Sequence, residues 1–116
     1  MMMMANCRSK YYNRKITRDG ETFDSIKEYR RFCELSLLAR AGKVTDLKRQ
    51  VKFELIPSQR IDGKVVERPV TYIADFVYEN EKGRVVVEDT KGMKTKDYIL
   101  KRKMMLYFHG IRIQEV

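Results

Sequence analysis

Apolar positions change period at recognisable points along the chain. Between Ser25 and Gly42 they recur at helical spacing, with Ile26, Tyr29, Cys33 and Leu37 on one stripe and Phe32 and Leu35 on a second. Ser25-x-x-Glu28 fits a capping box, Phe23 can staple onto the first turn, and Gly42 suits the left-handed position after a helix. The pattern predicts a first helix from about Asp24–Ser25 to Gly42, apolar around enough of its circumference to pack between a sheet and a partner.

The pattern then switches to runs rich in β-branched and aromatic residues. Val51–Ile56, Val70–Glu79 and Arg84–Asp89 are three expected strands. Between the first two, Ser58–Pro69 carries the turn signal Asp62-Gly63 and is expected to form a loose excursion. Thr95 can cap a second helix running to about Phe108, with Asp97 in its first turn and Gly110 ending it. Ile111–Val116 supplies a last strand. The expected order is therefore helix, three strands, helix, strand: one α/β domain over residues 23–116, preceded by an arm over residues 1–22.

Composition adds a partner class. The 116 residues hold 25 Lys and Arg against 16 Asp and Glu, a net charge of +9, which favours an anionic partner and nucleic acid first. A basic surface that only solubilises the protein is the alternative. In the arm, Arg8, Lys10, Arg14 and Lys15 alternate with Tyr11 and Tyr12, a mixture that can follow a phosphate backbone and stack on bases, or remain solvated. Lys94 and Lys96 could hold a second run of phosphates beside the second helix, or cover a solvated face. Two cysteines and one histidine exclude a disulfide framework, a zinc cluster and a two-histidine nuclease. No run reaches membrane-spanning length, so the expected location is cytoplasmic.

Against that background, three acids stand where apolar residues are expected. Asp75 interrupts Tyr72-Ile73-Ala74-Asp75-Phe76, and Glu88-Asp89 closes Val85-Val86-Val87 just before Thr90-Lys91-Gly92. Acids are depleted from strands, and burying an ionised one costs several kcal/mol unless it is paired or binds metal. A three-residue loop over Glu81–Gly83 pairs Asp75 with Asp89, whereas a four-residue loop pairs Asp75 with Glu88. Spacing favours Asp89, because Lys91 two residues on shares its face. Cross-strand partners lie about 5 Å apart, so two carboxylates there repel unless a proton or cation sits between them. Glu28 has two readings, as a third carboxylate turned towards the sheet or as the local partner of the capping box. Such a set offers the oxygen ligands that Mg²⁺ prefers, and Lys91 could position the attacking water or offset phosphate charge.

These residues resemble the PD-(D/E)XK nuclease superfamily, whose core runs α-β-β-β-α-β. Asp75 matches its first acid, Asp89-Thr90-Lys91 its acid-x-Lys element, and Glu28 the extra acid of the leading helix; the proline that often precedes the first acid is replaced by Ala74. Ser9-Lys10-Tyr11, Thr22-Phe23-Asp24-Ser25 and the acid-Thr-Lys-Gly run look like a small phage-encoded family similar to endonuclease I-type Holliday junction resolvases. The resemblance implies a restriction-endonuclease-like core with a mixed central sheet flanked by helices. It implies a Mg²⁺-dependent endodeoxyribonuclease, with Mn²⁺ able to substitute, that leaves a 5′-phosphate and acts as a homodimer on four-way DNA junctions. Glu28, Asp75, Asp89 and the Thr90 carbonyl would hold the metal, and Lys91 would serve the water. A nicking or end-processing nuclease without junction preference, or a basic nucleic-acid-binding protein without catalysis, are the alternatives.

Overall fold

The computed structural model describes residues 15–18 and 20–116. A short hairpin comes first, β1 (Ile16–Arg18) and β2 (Glu21–Phe23), followed by α1 (Ile26–Arg40). Next are β3 (Thr45–Ile56), the pair β4 (Gln59–Ile61) and β5 (Lys64–Glu67), β6 (Val70–Glu79) and β7 (Val85–Asp89). The chain ends with α2 (Lys96–His109) and β8 (Gln114–Glu115). The fold is mixed α/β. Its central sheet has the order β3-β6-β7-β8, with β3, β6 and β7 antiparallel and β8 added parallel to β7.

The helix ends follow local chemistry. Ser25 caps α1 by accepting from the Glu28 amide at 3.1 Å, and Thr95 caps α2 by accepting from the Tyr98 amide at 3.1 Å. Gly42 (φ 76°) and Gly110 (φ 67°) take the left-handed conformation that ends each helix. The expected capping box is shifted by one residue. Glu28 Oε1 accepts from the amide of Asp24 rather than that of Ser25, at 3.1 Å.

Three expectations are corrected. Residues 16–18 and 21–22 are not part of an arm; they form a hairpin, held because Arg49 bonds Glu21 and the Thr22 carbonyl and lies 3.9 Å over the Phe23 ring. Residues 59–67 are an ordered hairpin, with Asp62 (φ 52°) and Gly63 (φ 77°) giving the two left-handed residues of its tight turn. The strand before it starts at Thr45, six residues earlier than its apolar run suggests, because β3 is a sheet edge and tolerates polar, charged residues.

The core has two parts. Leu55, Tyr72, Ala74 and Val87 pack with Tyr98 and Met105 of α2, whereas Phe76 and Tyr78 pack with Leu35 of α1. Tyr72, Ala74, Phe76 and Tyr78 are all even-numbered, so a regular strand would put them on one side. Instead the alternation of β6 slips at Asp75. Its neighbour β3 is irregular at the same level: the ladder passes from Arg49–Phe76 to Val51–Ala74, and Gln50 between them has φ 53°. That double irregularity sets the position of Asp75.

Candidate active site

The β6–β7 register runs from Glu79–Val85 to Phe76–Glu88, the register of a three-residue loop. Continued by one residue, it brings Asp75 opposite Asp89, and Glu88 turns the other way. The Thr90 amide and hydroxyl both donate to Asp75 Oδ2, at 2.8 and 2.7 Å. One carboxylate oxygen of Asp75 is thereby fixed by the chain just beyond β7. The other, Oδ1, meets the Gln50 amide nitrogen at 3.4 Å.

Asp89 is fully enclosed. It is 1% exposed, and Tyr72 donates to its Oδ2 at 2.5 Å. Its Oδ1 is buried without a hydrogen-bond partner, and the nearest cation is the Lys91 ammonium at 4.0 Å. Burial pushes the Asp89 carboxyl up to about 6; the Tyr72 bond and Lys91 oppose the rise, while the charge of Asp75 adds to it. The Tyr72 hydroxyl is itself raised, by burial and then by its bond to Asp89, so it stays protonated and keeps donating.

Glu28 reaches the same place from the first turn of α1. It is 1% exposed, and its Oε2 accepts from Gln50 Nε2 at 2.8 Å and from Arg49 Nη2 at 3.2 Å. Burial raises its carboxyl above the ordinary value, with the charge of Asp75 the next cause. A single carboxamide, that of Gln50, thus lies between Glu28 and Asp75. Glu28 caps the helix through one oxygen and turns the other towards β3 of the sheet, where Gln50 and Arg49 meet it.

The five expected site residues Glu28, Asp75, Asp89, Thr90 and Lys91 therefore come together. Hard oxygen donors around a buried carboxylate oxygen without a partner are the chemistry a divalent cation of the Mg²⁺ class takes up. Among the described residues no three acidic, histidine or cysteine side chains are grouped closely enough to hold a metal ion. The second oxygen of Glu28 is taken up by Gln50 and Arg49.

The expected phosphate contacts fare unevenly. Arg8, Lys10 and Arg14 lie outside the described residues. Lys15 is exposed just before β1, and Lys96 is exposed at the start of α2. Lys94 is engaged by Glu115 at 3.2 Å, which limits its part in gripping phosphate. Glu115 also accepts from Tyr98 at 2.7 Å and Arg102 at 3.0 Å, and the Tyr98 bond first, with these cations, holds its carboxyl down to about 2. Glu88 faces α1, where Arg31 grips it with two bonds of 2.8 and 2.7 Å and the Tyr78 hydroxyl donates to it. Sequence spacing gave no signal for Gln50, Arg49 or Arg31. The acids they hold here, Glu28 and Glu88, lie 21 to 57 residues away.

The charge arrangement has a pH signature. A buried acid whose carboxyl is raised stays protonated in the folded chain after the unfolded chain has ionised, so its contribution to stability falls as pH rises between the two values. For Asp89 the window runs from 3.8 to about 6, and Glu28 acts in the same direction. Glu115 has the opposite sign but acts below 4.5, since its folded carboxyl is lowered to about 2. Without divalent cation, the stability advantage of Asp89→Asn over wild type should grow from pH 4.5 to 6.5 and then level, reaching roughly 3 kcal/mol. Urea unfolding across that range checks it. A gap that is flat with pH would remove Asp89 as the buried acid.

Comparison with curated proteins and with solved structures returned no match. A protein-family model does match, over residues 8–114, and its description is protein of unknown function. That span includes every residue of the acidic cluster, and the chain belongs to the DUF1064 family.

Proposed function

We propose that this chain is a metal-dependent endodeoxyribonuclease with a restriction-endonuclease-like core of the PD-(D/E)XK kind, acting on branched DNA. The observation that carries the reading is Asp89 Oδ1, a buried carboxylate oxygen with no hydrogen-bond partner, beside a second acid and a lysine. A structural acid in a core satisfies its oxygens, as Glu88 does with Arg31 and Tyr78. Asp89 leaves one open. The helix–three-strand–helix–strand order around a mixed sheet supports the same core.

The residues divide the work. A bound Mg²⁺ would orient and acidify water and offset charge on the scissile phosphate. Asp75 and Asp89 would hold it, with Glu28 and the Thr90 carbonyl as further oxygen donors. Thr90 fixes Asp75 through two donors, and Tyr72 fixes the orientation of Asp89, so neither carboxylate must be ordered when substrate arrives. Lys91 stands 4.0 Å from Asp89 Oδ1 with its side chain 42% exposed. Lys91 would position the attacking water or meet the charge that develops on the phosphate. Hydrolysis leaves a 5′-phosphate and a 3′-hydroxyl. One such site cuts one strand, so resolving a four-way junction requires two chains related by a two-fold axis.

The test is cleavage of a labelled four-way junction, linear duplex and single strand of matched sequence, with Mg²⁺ and with EDTA. Symmetric junction cutting that EDTA abolishes, with duplex spared, is the expected result. Equal cutting of all three substrates would keep the nuclease and remove the junction preference. Binding without cutting in Mg²⁺ or Mn²⁺ would leave a nucleic-acid-binding protein.

A further inference from the structure

A cleft of about 450 Å³ opens between the start of α1 and the chain just after β7. One wall is a stripe of α1 carrying Lys27, Arg30, Arg31 and Glu34, and the other includes Thr90 and Gly92. Arg31 is neutralised by Glu88 and Glu34. Lys27 and Arg30 are exposed, and among the described residues neither has an acidic side chain within ion-pair distance. Two free cations one helical turn apart therefore line a groove whose wall is the residue that fixes Asp75.

Gly92 supplies a separate argument. A glycine is usually required by a left-handed backbone or by close packing. Gly92 is not among the residues of positive φ, and a Cβ added there would meet nothing within 4 Å. Neither the backbone nor the core asks for a glycine. A side chain there would project into open space, and Gly92 lines the cleft together with Thr90.

We infer that this cleft is a nucleic-acid track: it carries the phosphodiester backbone of the strand next to the cut, gripped by Lys27 and Arg30 and passing close to the backbone at Gly92. The inference rests on the nuclease reading, which makes the polyanion DNA. Each phosphate neutralised releases counterions, so losing two contacts flattens the plot of log affinity against log salt by roughly 1.4 for single strands to 1.8 for duplex. Bulk in the cleft has a different signature, lowering affinity at every salt concentration without changing the slope.

The experiment uses the full chain in an Asp75→Asn background, with binding of a fluorescent four-way junction and a single strand followed by anisotropy from 0.1 to 1 M KCl. Adding Lys27→Gln and Arg30→Gln should flatten the slope by that amount and weaken binding roughly 25- to 60-fold at 0.1 M. Gly92→Val should weaken binding with the slope preserved. Lys82→Gln with Arg84→Gln, the same charge change at the β6–β7 turn, should leave the slope in place. Coincident slopes for the cleft variant and its parent, or equal effects of the two charge pairs, would overturn the track while wild type still cleaves. A wild type that cleaves no DNA overturns the reading beneath it.

Discussion

Asp75→Asn is expected to abolish DNA cleavage, by about 10³-fold or more, while the variant folds and binds DNA at least as tightly as wild type. The substitution changes charge with almost no change in shape. The asparagine carbonyl can still accept both Thr90 donors that now hold Asp75 Oδ2. Its amide then stands beside Gln50 Nε2 at the site of a long 3.4 Å contact, while Gln50 keeps its 2.8 Å bond to Glu28. What is lost is the negative charge that a cation and its water require. A 10³-fold loss corresponds to about 4 kcal/mol of transition-state stabilisation, within what one electrostatic group supplies. Stability should move the other way. The charge of Asp75 raises the carboxyls of both Glu28 and Asp89, so its removal relieves two buried acids. A melting temperature equal to or above that of wild type, with cleavage gone, would mark Asp75 as a group kept for function at a cost in stability. Single-turnover cleavage within tenfold of wild type would sink the site assignment.

What could be read from the sequence was what local geometry determines. Ser25, Thr95, Gly42 and Gly110 mark the helix ends by their own chemistry, and the structure uses all four. The register facing Asp75 with Asp89 follows from one short loop, closed by Asn80 and Arg84 backbone bonds and by the Asn80 side chain, which accepts from the Lys82 and Arg84 amides. The site was legible because its two strands are neighbours in the chain. Position-two alternation failed at Asp75 itself, because Gln50 takes a left-handed conformation that no apolar pattern announces. The β1–β2 hairpin has three residues per strand, too few to show a period. The hairpin at Asp62–Gly63 did carry its signal, but all its residues are exposed, and hydropathy cannot reveal a strand pair that buries nothing.

Glu88 shows why neighbouring acids in one strand take different roles, and replacing its partner should give the largest loss of stability. Glu88 is 2% exposed, and its charge is balanced by Arg31 through two short bonds, with the Tyr78 hydroxyl completing its shell. Arg31→Met keeps much of the stem that packs beside the sheet but leaves a buried carboxylate with one hydroxyl for company. The expected cost is about 3 kcal/mol, the lower end for an orphaned buried charge, and roughly 10 °C in melting temperature. The second substitution Glu88→Gln should recover most of it. The side-chain carbonyl still accepts from Tyr78, and no charge remains to be balanced, so the double variant should fall within about 1 kcal/mol of wild type. Urea unfolding of the two single variants and the double variant measures the coupling directly. Additive losses would mean that Glu88 and Arg31 do not act as a pair. The same cycle carries a functional readout, because Arg31 lies one turn beyond Glu28 on α1. If the ion pair also fixes the depth of Glu28 beside Gln50, the double variant should regain stability without regaining full cleavage. Recovery of both would confine the pair to the core, and Asp75 with Asp89 would hold the site without help from the helix.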